Sequence, residues 1–227
     1  MTATAKVRGT DVPTAGTVYG TLLNYRSALA AMGDAVNAPP YNAPPRAPIL
    51  YVKPANTWIA HDATIPLPVG VLALEMNAAL GVVIGRTACR VPEAHALTFV
   101  HGYTIVNDVC EPHASVYRPA IRQRCRDGFC AIGPWVVAAD AVGSPDALAQ
   151  RVFVNSQLRS ADNTANLVRS VARLIADVTE FMTLAEGDVL LVGSPHPAPL
   201  AGAGDVVRIE IDRVGALENT VMPEPAR

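Results

Sequence analysis

The chain has 227 residues, half of them apolar and 17% charged, with a formal net charge of −2. That composition excludes a disordered polymer, which combines low hydrophobicity with high net charge, and it leaves no basic surplus to neutralise nucleic-acid phosphates. No apolar run reaches the roughly 18 residues a membrane span needs, so neither nucleic acid nor membrane is expected as a partner.

In chain order, the first 16 residues are small and polar and lack the apolar stretch of a secretory leader, so a cytoplasmic protein is expected. Residues 25–35, rich in Ala and Leu, read as a short helix. The prolines at 39, 40, 44, 45 and 48 impose extended backbone and read as an ordered loop. Ile49–Lys53 is a β-branched and aromatic run stopped by Pro54, a strand. Residues 80–84 form another strand, closed by Gly85, and 92–99 read as a helix with Pro92 in its first turn. Residues 103–106 and 135–139 read as strands too short to alternate, as strands covered on both faces are.

Residues 164–182 give the clearest helix. Leu167, Val171, Leu174, Ile175, Val178 and Met182 fall on one face, with Asp162, Asn163 and Thr164 as candidate caps. A turn at Glu186-Gly187-Asp188 precedes a strand at 189–192. Val207, Ile209 and Ile211 alternate with Arg208 and Glu210, a strand with one wet face. Many short strands and few helices make a β-rich α+β protein.

Cys89, Cys110, Cys125 and Cys130 have neither zinc-ligand spacing nor a Cys-x-x-Cys pair and read as buried free thiols. Asp108 ends an apolar strand, where a carboxylate costs free energy unless it is paired or binds a cation. Two readings of it stay open, a turn Asp bonded to nearby amides and a cation ligand. Arg122, Arg124 and Arg126 are either a solvated basic face or a clamp for carboxylates, which planar guanidinium groups bind with two hydrogen bonds.

Five motifs in fixed order, at 80–86 (LGVVIGR), 102–109 (GYTIVNDV), 127–134 (DGFCAIGP), 186–195 (EGDVLLVGSP) and 204–205, resemble the fumarylacetoacetate hydrolase family. The resemblance runs from Gly16 to Asn219, which makes residues 16–227 the family domain and residues 1–15 an N-terminal extension. The stretches 116–130 (VYRPAIRQRCRDGFC), 40–48 (PYNAPPRAP) and 52–54 match one branch more closely. That branch decarboxylates and isomerises intermediates of 4-hydroxyphenylacetate breakdown, and the likeness is to the first half of its two-part enzyme.

The resemblance implies a roll of mixed sheets with short helices, commonly dimeric. It also implies Mg²⁺ or Mn²⁺ held by three carboxylates, polarising a 2-oxo acid as a Lewis acid. In the branch, 5-oxopent-3-ene-1,2,5-tricarboxylate loses carbon dioxide and the dienol product, 2-hydroxyhepta-2,4-dienedioate, isomerises to 2-oxohept-3-enedioate. Carried over by position, the third metal carboxylate falls on Asp108, while the first two fall on Asn77 and Ala79. Glu75 shares their strand face but would need a shift of about 7 Å to substitute.

The family's lysine before the DGFC-like motif falls on Arg124, and Lys53 matches a second lysine. Ser194 replaces a family threonine. Asn24 and Tyr25 keep an Asn-Tyr motif, whereas the His and Glu acid/base pair after it falls on Ala28 and Ala31. The implied pocket is Arg124, Lys53 and Ser194 for chemistry, with Asn24, Tyr25 and Arg126 holding a small 2-oxo di- or tricarboxylate.

Three roles follow. The chain is a lyase/isomerase subunit working with a homologous, metal-bearing partner, or an enzyme competent alone, with metal held by Asp108 and Glu75 or with Arg124 replacing the metal's charge, or a binding or structural subunit without chemistry. A homodimer or a heterodimer, and another 2-oxo acid as substrate, stay open.

Overall fold

The computed structural model describes residues 16–113 and 120–225, together with the backbone of a two-stranded antiparallel ribbon, Ala5–Val7 with Thr10–Val12. The rest of the expected extension at 1–15, and residues 116–119 of the 116–130 motif, lie outside the described residues. The protein is a strand-rich α+β structure of mixed sheets with few short helices.

The larger sheet has seven strands in the order Ile49–Lys53, Val18–Leu22, Val189–Leu191, Ala78–Ile84, Val100–Asp108, Cys130–Ala138 and Trp58–Ile59. Its two edges are consecutive in the chain, separated only by Pro54 and the 3-10 turn Ala55–Thr57. Six interstrand spacings would hold flat edges about 29 Å apart, yet the five residues from Lys53 to Trp58 can reach at most about 18 Å. The sheet therefore curls until its edges meet, and Trp58 Nε1 donates to Lys53 O at 2.9 Å across the join.

Curling gives each strand an inner and an outer face. Along Ala78–Ile84, every residue of which is buried, Ala79 and Val83 pack inward with Val18, Trp58, Val106, Ile132 and Leu191. Ala78, Leu80, Val82 and Ile84 pack outward into the main core. The inside is tight: a Cβ on Gly81 would meet Thr104 Cγ2 at 2.9 Å and Val106 Cγ2 at 3.1 Å.

The main core lies between this sheet, the second sheet and the helix Val171–Phe181. The second sheet has the order Gln157–Asn163, Ala149–Val154, Val206–Ile211, Gly215–Pro223 and Thr64–Leu67.

That helix starts seven residues later than its periodicity predicts. Ser170 is its N-cap, its side chain accepting from Arg173 N at 3.2 Å. The caps expected at 162–164 serve a different turn, with Asn163 Oδ1 accepting from Ala165 N to cap the 3-10 segment Thr164–Asn166. Leu167 is drawn off by a β-bridge to Tyr25. The helical face itself is as read, Val171, Leu174, Ile175 and Val178 all being buried. Leu174→Ala is expected to lower unfolding free energy by about 3 kcal/mol, measured by denaturant titration.

Other elements depart in detail. The helix expected at 25–35 is one turn, Arg26–Ala30, followed by a 3-10 segment at Gly33–Asn37, the break falling where Gly33 takes φ +49°. The helix expected at 92–99 is a 3-10 segment, Glu93–Phe99, with Pro92 outside it as cap. Of the cysteines, Cys110 and Cys130 are buried free thiols, Cys125 is half-buried and Cys89 is exposed. Among the described residues no helix is long and apolar enough to cross a membrane.

Candidate active site

The inner face of the curled sheet becomes polar at one end. Tyr51 and Lys53, two residues apart on the edge strand, point the same way. Asn77 immediately precedes Ala78–Ile84, and Asp108 ends Val100–Asp108. Asp108 N donates to Asn77 O at 2.9 Å, so the two residues sit opposite each other. Arg124 comes from the short helix Ile121–Arg124.

Asp108 is 2% exposed and both its carboxylate oxygens are engaged. Lys53 Nζ lies 2.8 Å from Oδ1, Arg124 Nη1 donates to Oδ2 at 2.9 Å, and the Tyr51 hydroxyl also donates to Oδ2. Lys53, wholly buried, also donates to Val109 O at 3.1 Å and to Arg124 O at 2.6 Å. Arg124 lies over the Tyr51 ring, its Cζ 4.9 Å from the centroid.

Burial by itself would raise the Asp108 carboxyl, but Lys53, Arg124 and the Tyr51 hydroxyl together hold it below its ordinary value. Burial and then the Asp108 charge push the Tyr51 hydroxyl well above its ordinary value, so it stays a donor. Burial first, and then the Asp108 charge, also push the Cys110 and Cys130 thiols up to about 12, which removes both as nucleophiles at neutral pH.

The Tyr51 ring lies across Gly20, its partner on the neighbouring strand, where an added Cβ would overlap the ring. Gly20→Ala is expected to push the hydroxyl off Asp108 and cost roughly 1–3 kcal/mol, read as a lower denaturation midpoint.

A cleft of about 290 Å³ opens above this network. Arg124, Tyr51, Asn77, Ser194 and Glu75 line it, and Ala28 and Ala31 form an apolar part of its wall. Ser194 Oγ donates to Asn77 Oδ1 at 3.2 Å. Asn77 Nδ2 is buried and has no hydrogen-bond partner among the described residues, and the same holds for the hydroxyl of Thr21, which also borders the cleft. Leaving such a group unmatched costs roughly 1–3 kcal/mol.

The remaining sequence candidates stand elsewhere. Asn24 Nδ2 donates to Val192 O at 2.9 Å and Arg169 O at 3.2 Å, and its Oδ1 accepts from Arg169 N at 3.0 Å, so the side chain ties loops together behind the cleft. Tyr25 lies in the main core with its hydroxyl on Gln150 Oε1 at 3.2 Å. Arg126 pairs at longer range with Glu111 (3.8 Å) and Glu224 (3.7 Å). Tyr51 was not among the sequence candidates. Its signal is its two-residue spacing from Lys53, which puts both on one strand face.

Among the described residues no three His, Cys, Asp or Glu side chains gather to hold a metal ion. Asn77 brings an amide, Ala79 no donor atom, and the Asp108 carboxylate already serves two cations. Glu75 lines the cleft, one carboxylate where Mg²⁺ or Mn²⁺ asks for several oxygens. The donor set does not fit a divalent cation.

Comparison with known proteins places this geometry among relatives. A family model described as fumarylacetoacetate (FAA) hydrolase C-terminal matches residues 17–222. The chain is 40% identical over 209 residues to the 4-hydroxyphenylacetate degradation bifunctional isomerase/decarboxylase of Salmonella dublin, covering 92% of this chain and 48% of that one. The chain spans about half the length of this and two further curated isomerase/decarboxylase relatives.

The crystal structure of a 5-carboxymethyl-2-hydroxymuconate delta-isomerase from Mycobacterium smegmatis superposes with a TM-score of 0.77 at 30% identity, over 95% of this chain and 82% of that one. A maleylpyruvate hydrolase from Sphingobium sp. SYK-6, in complex with manganese(II) and pyruvate, superposes with a TM-score of 0.75 at 26% identity, over 92% and 71% of the two chains.

Proposed function

This chain belongs to the fumarylacetoacetate hydrolase family, and from that premise we propose that it acts on a small 2-oxo di- or tricarboxylate of aromatic-acid breakdown. The named relatives support aromatic catabolism as the setting. One observation carries the finer reading: Asp108, at the position the resemblance assigns to the third metal ligand, is held by Lys53 and Arg124, while positions 77 and 79 bring no carboxylate.

The two reactions of the branch differ in what they need. Decarboxylation leaves an electron pair that must be held on the ketone oxygen, the work of a strong Lewis acid. Converting 2-hydroxyhepta-2,4-dienedioate to 2-oxohept-3-enedioate needs only that the enol O–H give up its proton and the far end of the diene gain one. In this cleft Arg124 balances the oxyanion formed on the way, and Glu75 is the carboxylate placed to take the enol proton. The chain therefore serves the isomerisation, and decarboxylation belongs to a homologous partner that carries the full carboxylate set, in a heterodimer.

Assay of the purified chain in EDTA tests this reading. Ketonisation of the dienol, followed by loss of its ultraviolet absorbance, is expected to proceed. Carbon dioxide release from 5-oxopent-3-ene-1,2,5-tricarboxylate is expected only once a metal-bearing homologue is added. Ketonisation that EDTA abolishes would overturn it. The alanines at 28 and 31, where a family acid/base pair would stand, favour a competing reading as a binding subunit, which predicts no ketonisation at all.

A further inference from the structure

The cleft presents hydrogen-bond donors that the fold leaves unused. Asn77 is 8% exposed and its Nδ2 has no partner among the described residues, although its Oδ1 is fixed by Ser194 Oγ at 3.2 Å. The Thr21 hydroxyl at the same cleft is buried and likewise has none among the described residues. Arg124 spends Nη1 on Asp108 at 2.9 Å, and the rest of its guanidinium makes no hydrogen bond to a described residue.

These donors are held in place before any ligand arrives. Asp108 and the Tyr51 ring fix the Arg124 guanidinium, while Lys53 Nζ holds the Arg124 carbonyl at 2.6 Å. A planar fork fixed in this way suits two adjacent oxygens of one ligand. Glu75, on the same cleft, is a carboxylate able to accept from a ligand hydroxyl. At about 290 Å³ the cleft is at the small end of ligand sites, sized for a short-chain acid.

We propose that the inner end of this cleft is a metal-free subsite for the 2-oxo-carboxylate group, with Arg124 and Asn77 Nδ2 donating to the adjacent oxygens that a divalent cation would otherwise chelate. The site's polarity is inverted: where a carboxylate at position 77 would attract a cation, an amide N–H meets the ligand's oxygen directly. The substrate class rests on the functional reading above, but the claim concerns binding and stands apart from turnover.

Calorimetric titration of the full chain with oxalate in EDTA tests it. Saturable one-to-one binding is expected, unchanged when Mg²⁺ replaces EDTA. Asn77→Asp, which exchanges a donor for a like charge, is expected to weaken it at least tenfold. Arg124→Lys is expected to weaken it by a similar factor, since a single ammonium cannot reproduce the fork. Asn77→Ser, smaller and still a donor, is expected to lose less than Asn77→Asp, which guards against a folding defect being read as lost contact.

Binding that requires Mg²⁺ or Mn²⁺, or that is indifferent to both Asn77→Asp and Arg124→Lys, would overturn the subsite. So would no oxalate binding by the folded wild-type chain. EDTA-resistant ketonisation alongside any of these would leave the functional reading standing.

Discussion

Asp108→Asn is expected to destabilise the protein by roughly 3–5 kcal/mol, because it removes the one carboxylate that neutralises a buried lysine. Lys53 is wholly buried, and its other two partners are carbonyl oxygens, which solvate an ammonium but do not cancel its charge. At roughly 2–4 °C per kcal/mol for a domain of this size, the melting temperature should fall by roughly 6–20 °C.

Pairing Asp108→Leu with Lys53→Met should recover much of the loss, since replacing a whole buried ion pair by apolar groups is often nearly neutral. The pH dependence has a definite sign. Opposite charges hold the folded Asp108 carboxyl below its ordinary value of 3.8, so its contribution to stability is full above that pH and is lost as pH falls through the lower folded value. Urea melts from pH 7 down to pH 3 should therefore show wild type approaching Asp108→Asn only at the acid end. A gap that stays constant across that range would contradict the assignment.

The second large effect is on catalysis. Arg124→Gln is expected to lower kcat/KM for dienol ketonisation by roughly 10²–10³, the usual loss when a fixed donor to a developing oxyanion is removed. Asp108 keeps Lys53 at 2.8 Å and the Tyr51 hydroxyl, so the fold should survive and near-ultraviolet circular dichroism should be unchanged. Arg124→Lys should recover only part of the rate. A change confined to KM would show uniform binding instead of oxyanion stabilisation.

How much of this was legible in the sequence depends on the range of the interactions involved. Ile49–Lys53 and the strand at 80–84 were readable because a short apolar run between breakers leaves few alternatives. Ala149–Val154 was not, since its buried inward position Gln150 interrupts the apolar signal, and Gln157–Asn163 is an exposed edge strand with no apolar face.

The curling of the large sheet is a long-range fact. Nothing local to Lys53 or Asp108 says that two strands four places apart in the sheet will face each other across its interior. Residue chemistry marks Asp108 and Arg124, and motif order adds Lys53, Ser194 and the substitutions at 77 and 79. Motif order could not separate cleft from core, because Asn24 and Tyr25 keep their motif while their side chains are bound to Val192, Arg169 and Gln150.

Whether Lys53 and Arg124 stand in the place of a metal ion is tested most directly by calorimetric titration of the purified chain with Mn²⁺, with and without oxalate. No saturable Mn²⁺ binding is predicted under either condition. Saturable one-to-one Mn²⁺ binding that is lost in folded Asp108→Asn would contradict it and restore a working metal centre to this chain.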